Sequence, residues 1–172
     1  MRYAYHPDYF VRLPPRHPFP MAKYPLVHQR LLGEGVLTAQ GVLVPEEATA
    51  GDLALVHMPG YLQRLESGSL EPTEIRRIGV PWSSALWRRS KLAVQGTVDA
   101  ARAALEDGLA GNLAGGTHHA FADHGEGFCV LNDVAVAIRI LQREGRAATG
   151  LVIDLDVHQG NGTAAIFEGD PD

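Results

Sequence analysis

The 172-residue sequence predicts an α/β domain, a mainly parallel sheet with helices on both sides, and three observations carry that prediction. Strand-like and helix-like segments alternate along the chain, the order that buries a parallel sheet between helices. Leu151, Val152, Ile153 and Leu155 make a nearly continuous apolar run, which suits a strand covered on both faces. A chain of this length with 45% hydrophobic and 20% charged residues has the makings of one ordinary soluble core.

The elements follow in order. RYAYH (2–6) alternates as a first strand does. LPPRHPFP (13–20) places four prolines in eight positions, so it lacks donors and helical geometry and must be an irregular loop. Pro25 suits the first turn of a helix running into LVHQRLLGEG. A short strand at GVLVP (41–45) follows. TAGDLALVHMPGYLQRLESGS (49–69) reads as two short helices, Thr49 capping the first and Pro59–Gly60 separating them. From Ser83 to Leu109 the residues Leu86, Leu92, Val94, Val98, Ala101 and Leu105 recur at helical steps, and Gly108 and Gly111 end the run. NLAGG (112–116) is a brief apolar segment. Asn132 or Asp133 caps VAVAIRILQRE (134–144), which stops at Gly145. ATGLVIDLDV (148–157) is the clearest strand, and GTAAIFEG (162–169) a final helix.

Composition excludes several classes. The net charge of −5 argues against nonspecific nucleic-acid binding, which depends on positive charge. Arg76–Arg77 and Trp87–Arg88–Arg89 are the local basic stretches, and both read as solvated helix ends. Cys129 is the single cysteine, so no intrachain disulfide can form. The amino terminus lacks the apolar core of a signal peptide, and no apolar run approaches the roughly 18 residues of a membrane span. The expectation is a cytoplasmic protein with no membrane and no direct nucleic-acid partner.

Two clusters carry chemistry. The first, AGGTHHAFADHGEGFCVLND (114–133), sets His118 beside His119. Neighbouring side chains on a strand point to opposite faces, so two adjacent rings serve one place only on an irregular loop. The second, VIDLDVHQGNG (152–162), spaces Asp154, Asp156 and His158 two apart, on one side of an extended backbone. It lies at the carboxyl end of the expected strand, where open α/β folds bind ligands. Asp156 and His158 offer a carboxylate oxygen and an imidazole nitrogen, donors that suit zinc or another first-row divalent ion. Two ligands are fewer than the three that a catalytic zinc usually takes from the protein.

GGTHHAFADHGEGFCVLND followed by VIDLDVHQGNGT resembles the zinc-dependent histone deacetylase superfamily, which includes bacterial acetoin-utilisation proteins and acetylpolyamine amidohydrolases. HPFPMAKYPLVHQRL and VHMPGYLQRL resemble that family's amino-terminal region. The resemblance implies a three-layer α/β/α fold of the arginase/deacetylase kind. It also implies hydrolysis of an N-acetyl amide, on acetyl-lysine or an acetylpolyamine-like amine, with zinc (or Fe²⁺) polarising the carbonyl and activating water.

By resemblance, Asp156 and His158 are two of three zinc ligands. His119 is the general base, and His118 is electrostatic or assists proton delivery. Asp154 bonds His118, fixes its tautomer and favours its cationic form. It also belongs to a structural K⁺ site using carbonyls of the Asp154–His158 segment. Asn161 stands where relatives carry aspartate or asparagine against the second histidine, and a neutral amide orients His119 without stabilising a charge. Gly127 and Phe128 match one wall of the acyl-lysine tunnel. Phe167 and Asp170 fall where a second monovalent cation takes carbonyls. Asp123, His124 and Glu126 read as polar loop groups, Cys129 as packed, and His6, His17, His28 and His57 as structural or surface residues.

The family pattern also needs a third aspartate ligand and an oxyanion-stabilising tyrosine further along the sequence, neither of which falls within residues 1–172. The resemblance therefore makes residues 1–172 the amino-terminal part of a single, truncated deacetylase domain, incompetent alone. A non-catalytic remnant that pairs its open sheet edge, as a homo-oligomer for example, and a module binding acetylated ligands are the alternatives.

Overall fold

In a computed structural model, which describes residues 1–170, the sheet has three parallel strands in the order β2-β1-β3. Strand β1 (Arg2–Ala4) is central, between β2 (Val42–Leu43) and β3 (Ala110–Asn112). Tyr3 is in register with Val42 on one side and with Gly111 on the other. Parallel neighbours need crossover connections. Those here are α1 (Lys23–Gly33) before β2, and α2 (Ala50–Leu53), α3 (Pro59–Ser67), α4 (Pro72–Ile78) and α5 (Ser84–Asp107) before β3. Helices α6 (Asp133–Arg143) and α7 (Asn161–Ile166) complete the order. No helix among the described residues is long and apolar enough to cross a membrane.

Helix α5 is the spine. The Ser83 hydroxyl accepts from the Leu86 N–H at its start, and Gly108 ends it in the left-handed conformation. Its apolar face buries Leu92, Val94 and Val98 against the sheet and α6, where Val136 and Ile140 are equally buried. Each such aliphatic side chain contributes about 1.5–3 kcal/mol relative to exposure. Gly96 is required in this helix, since a Cβ there would lie 2.2 Å from the Tyr9 hydroxyl. That hydroxyl donates to Asn112 Oδ1 (2.9 Å), while Asn112 Nδ2 donates to Ala93 O and Thr97 Oγ1 (2.9 Å each), stapling the end of β3 to α5.

Several expectations are corrected. Pro59 opens α3 at its first turn instead of separating two helices, because its missing N–H is no loss there. Helix α4 was not anticipated, although Pro72 at its start, the Glu71 N–H donating to Glu74 Oε2 and Gly79 at φ 78° beyond its end are ordinary helix signals. Arg89 is no solvated helix end. It is 4% exposed, donates to the Tyr9 carbonyl (3.1 Å) and lies over the Tyr24 ring. The largest correction concerns residues 151–157, which form no strand. Leu151, Leu155 and Val157 are 87%, 91% and 92% exposed, and the segment pairs with no strand among the described residues. A strand exists only by hydrogen bonding to a neighbour, and among the described residues β3 bonds to β1 alone.

Candidate active site

The loop after β3 leaves the carboxyl edge of the sheet carrying Thr117, His118 and His119, and buried polar groups of α6 hold it. Asp133 Oδ1 accepts from the Thr117 N–H (2.7 Å) and hydroxyl (2.6 Å), and its Oδ2 accepts from the Thr97 hydroxyl. Asn132, fully buried, caps α6 through the Ala135 N–H and donates to Ala120 O and Thr163 Oγ1 (3.0 Å each). The Thr163 N–H donates to the His118 carbonyl (3.0 Å), which draws α7 onto the loop. Gly162 permits that approach, since a Cβ there would stand 2.4 Å from the Ala120 carbonyl oxygen.

The two histidine rings are 4.2 Å apart, centroid to centroid, and have different partners. His118 Nδ1 lies 2.6 Å from Asp154 Oδ2, and this hydrogen bond holds the Asp154 carboxyl below its ordinary range. His119 Nδ1 lies 2.7 Å from Asn161 Oδ1. Both acceptors face Nδ1, so both rings carry a proton there and turn Nε2 away, with a lone pair when neutral. Gly127, at φ 55°, lies against His119, and a Cβ would come within 2.6 Å of the ring.

His118, His119, Gly127, Phe128, Asp156 and His158 line one cavity of about 240 Å³, with the His158 ring 6.0 Å from that of His119. Phe128 holds φ 68°, unusual for a side chain of its size, and its N–H donates to the Ile78 carbonyl (2.7 Å). Its ring packs on Phe19 at 5.1 Å. Lys23 and Arg89 also line this cavity, giving it two cations that sequence reasoning did not bring here. Burial, then the neighbouring Arg89, pushes the Lys23 ammonium below its ordinary value. Cys129 is packed, as expected, and burial pushes its thiol up to about 12, which leaves no thiolate near neutrality.

Asp156 and His158 are side by side and solvent-accessible. Asp156 Oδ1 accepts from the His158 N–H (2.8 Å) and lies 3.0 Å from its Nδ1, and these bonds lower the Asp156 carboxyl. One carboxylate and one imidazole fit a divalent first-row ion in donor type. Among the described residues no group of three His, Cys, Asp or Glu side chains converges as a metal site. The pair fits as part of a site. Phe167 and Asp170 are not brought to this cavity. They line a separate groove with Asp154, where Arg139 lies over the Phe167 ring and pairs with the Asp170 carboxylate.

Residues 17–172 match the histone deacetylase domain family. The chain belongs to that family. It is 50% identical to an uncharacterized protein of Picosynechococcus sp., over 98% of this chain and 56% of the relative. It is 34% identical to histone deacetylase 2 of Arabidopsis thaliana, over 89% and 41%. The crystal structure of an HDAC homologue from Aquifex aeolicus superimposes with a TM-score of 0.83 at 29% identity, covering 96% of this chain and 47% of that one. The histone deacetylase family chain therefore has the α/β deacetylase fold, and it spans about half the length of the relatives it matches.

In this deacetylase-family chain the sequence gives no sign of Thr117 or Thr163, marks Glu126 only as a polar loop group, whereas it bonds Asn161, and marks Asn132 and Asp133 only as helix caps. The adjacent pair Asn132–Asp133 before an apolar helix was the available signal. One of the two had to serve something other than the cap.

Proposed function

We propose that residues 1–172 supply the amino-terminal share of one metal-dependent deacetylase domain, which hydrolyses the N-acetyl amide of acetyl-lysine or an acetylpolyamine-like amine. One observation supports this most. Two histidines with different Nδ1 partners share a cavity with an adjacent carboxylate and imidazole. Asp156 and His158 would hold the ion, zinc or Fe²⁺, as two of its ligands. When bound, such an ion supplies Lewis acidity toward an amide carbonyl and acidifies water.

This chain's residues do the rest. His119, protonated at Nδ1 toward Asn161, accepts a proton from water at Nε2. The water oxygen bonds to the acyl carbon, the C–N bond breaks, and the proton goes to the departing amine. His118, held by Asp154, assists that delivery. Phe128 and Gly127 form one wall for the acyl-lysine chain, and Lys23 and Arg89 suit the acetate product by charge. The carbonyls of the Asp154–His158 segment are proposed to hold a structural K⁺.

A second reading, favoured by the two-donor count and the unpaired 151–157 segment, is that the 172-residue chain alone turns nothing over. Calorimetric titration with Zn²⁺ and with Fe²⁺ tests the ligand assignment. The expected result is one weak site, lost in Asp156→Ala and in His158→Ala but kept in His119→Ala. Equal binding by all four proteins contradicts it.

A further inference from the structure

We infer that Glu126 is a positioning residue for His119, acting through Asn161: its carboxylate fixes which end of the Asn161 amide faces the ring, and so which ring nitrogen carries the proton. Asn161 Nδ2 donates to Glu126 Oε1 (3.1 Å) while Asn161 Oδ1 faces His119 Nδ1 (2.7 Å). A carboxylate only accepts, so the amide must present its NH₂ to Glu126 and its oxygen to the ring. The ring then has to donate from Nδ1, which leaves Nε2 as the basic nitrogen. A histidine free in water prefers the other tautomer, so this one needs a fixed acceptor. A lone asparagine amide can turn by half a revolution and offer either end, and Glu126 removes that freedom.

Glu126 is itself anchored. Its N–H donates to the Cys129 carbonyl (3.0 Å) and its carbonyl accepts from the Cys129 N–H (2.8 Å), with Cys129 buried. Its second oxygen is 3.9 Å from His124 Nε2. The next residue, Gly127, abuts the His119 ring, so one short turn sets both the ring's packing and its amide partner.

The inference rests on His119 being the base, yet its test does not. The ¹⁵N-labelled chain is studied by long-range proton–nitrogen correlation, about two pH units above the ordinary histidine value so that the ring is neutral. His119→Gln assigns the signals. The wild type is expected to show His119 with the proton on Nδ1. E126Q, whose amide can itself turn and offer either end, is expected to fall between the wild type and E126L. In E126L the ratio of Nδ1–H to Nε2–H falls by about tenfold. E126K, which puts a donor in the acceptor's place, moves the proton to Nε2 and serves as well should E126L not fold. A wild-type ring protonated at Nε2, or an unchanged ratio in folded E126L or E126K, overturns the inference. No substrate or metal is needed. Unchanged tautomer ratios in E126L and E126K sink Glu126's role whatever the activity, whereas turnover retained by His119→Ala in the protein that carries this segment sinks the base assignment alone.

Discussion

Thr117 is bound twice by Asp133: its backbone N–H and its hydroxyl both donate to Asp133 Oδ1, at 2.7 and 2.6 Å. Asp133 is 2% exposed and takes a third bond from Thr97, which in turn accepts from Asn112. The tie continues to Tyr9. A line of polar contacts thus runs from the start of the chain, across the end of β3, to the residue just before the two histidines. The loop is held from beneath by groups that never enter the cavity.

Asp133→Ala leaves the two buried Thr117 donors and the half-buried Thr97 hydroxyl without this acceptor, so it is expected to destabilise the chain by about 3 kcal/mol. Asp133→Asn keeps one acceptor oxygen and is expected to cost about half as much. Urea denaturation followed by circular dichroism measures both. An unchanged midpoint for the alanine variant would show that the loop does not depend on this tie.

Gly162→Ala places a methyl group 2.4 Å from the Ala120 oxygen and 2.6 Å from the His119 carbonyl carbon, both backbone atoms. Helix α7 must move outward, at a cost of about 1–3 kcal/mol. Asn161 moves with it. The His119 ring signal is expected to shift in the NMR spectrum, whereas Gly108→Ala, with no atom near the added methyl, leaves it in place.

His57 gives the chain a pH dependence. Asn132 N–H can only donate to Nε2 (3.0 Å) and the Phe121 carbonyl can only accept from Nδ1 (3.1 Å), so the buried ring is neutral. Burial pushes its pKa down from 6.5 to about 4. Between those values the unfolded chain binds a proton that the folded ring refuses. Stability is therefore full above about 6.5 and falls as the pH drops toward 4, by an amount on the order of 3 kcal/mol. Denaturation series at several pH values should show the wild type losing stability across that window faster than His57→Gln. Parallel profiles would rule out His57 as the source.

Helices α5 and α6, the cap Thr49 and the cap pair Asn132 or Asp133 were legible in the sequence, because helical periodicity and capping are local. The pairing of His118 with Asp154 and of His119 with Asn161 was legible through the family motifs. Residues 151–157 show the limit of pattern reading. Their apolar run describes a strand buried on both faces, but strand formation depends on neighbours that a local pattern does not specify. Arg89 and His57 show the same limit for polar residues. Arg89 read as a solvated helix end and His57 as structural or surface, and only tertiary contacts with Tyr9, Tyr24, Phe121 and Asn132 make their burial affordable. Glu126 read only as a polar loop group because its partner lies 35 residues away.

The central claim is that His119 moves the proton while Asp156 and His158 hold the ion. It is tested most directly by release of acetate from an N-acetyl-lysine peptide, using the protein that carries this segment, with zinc content measured on the same samples. His119→Ala is expected to lower turnover by at least about a hundredfold while zinc stays bound. Turnover within a few-fold of wild type, or loss of zinc together with activity in that variant, would contradict the claim.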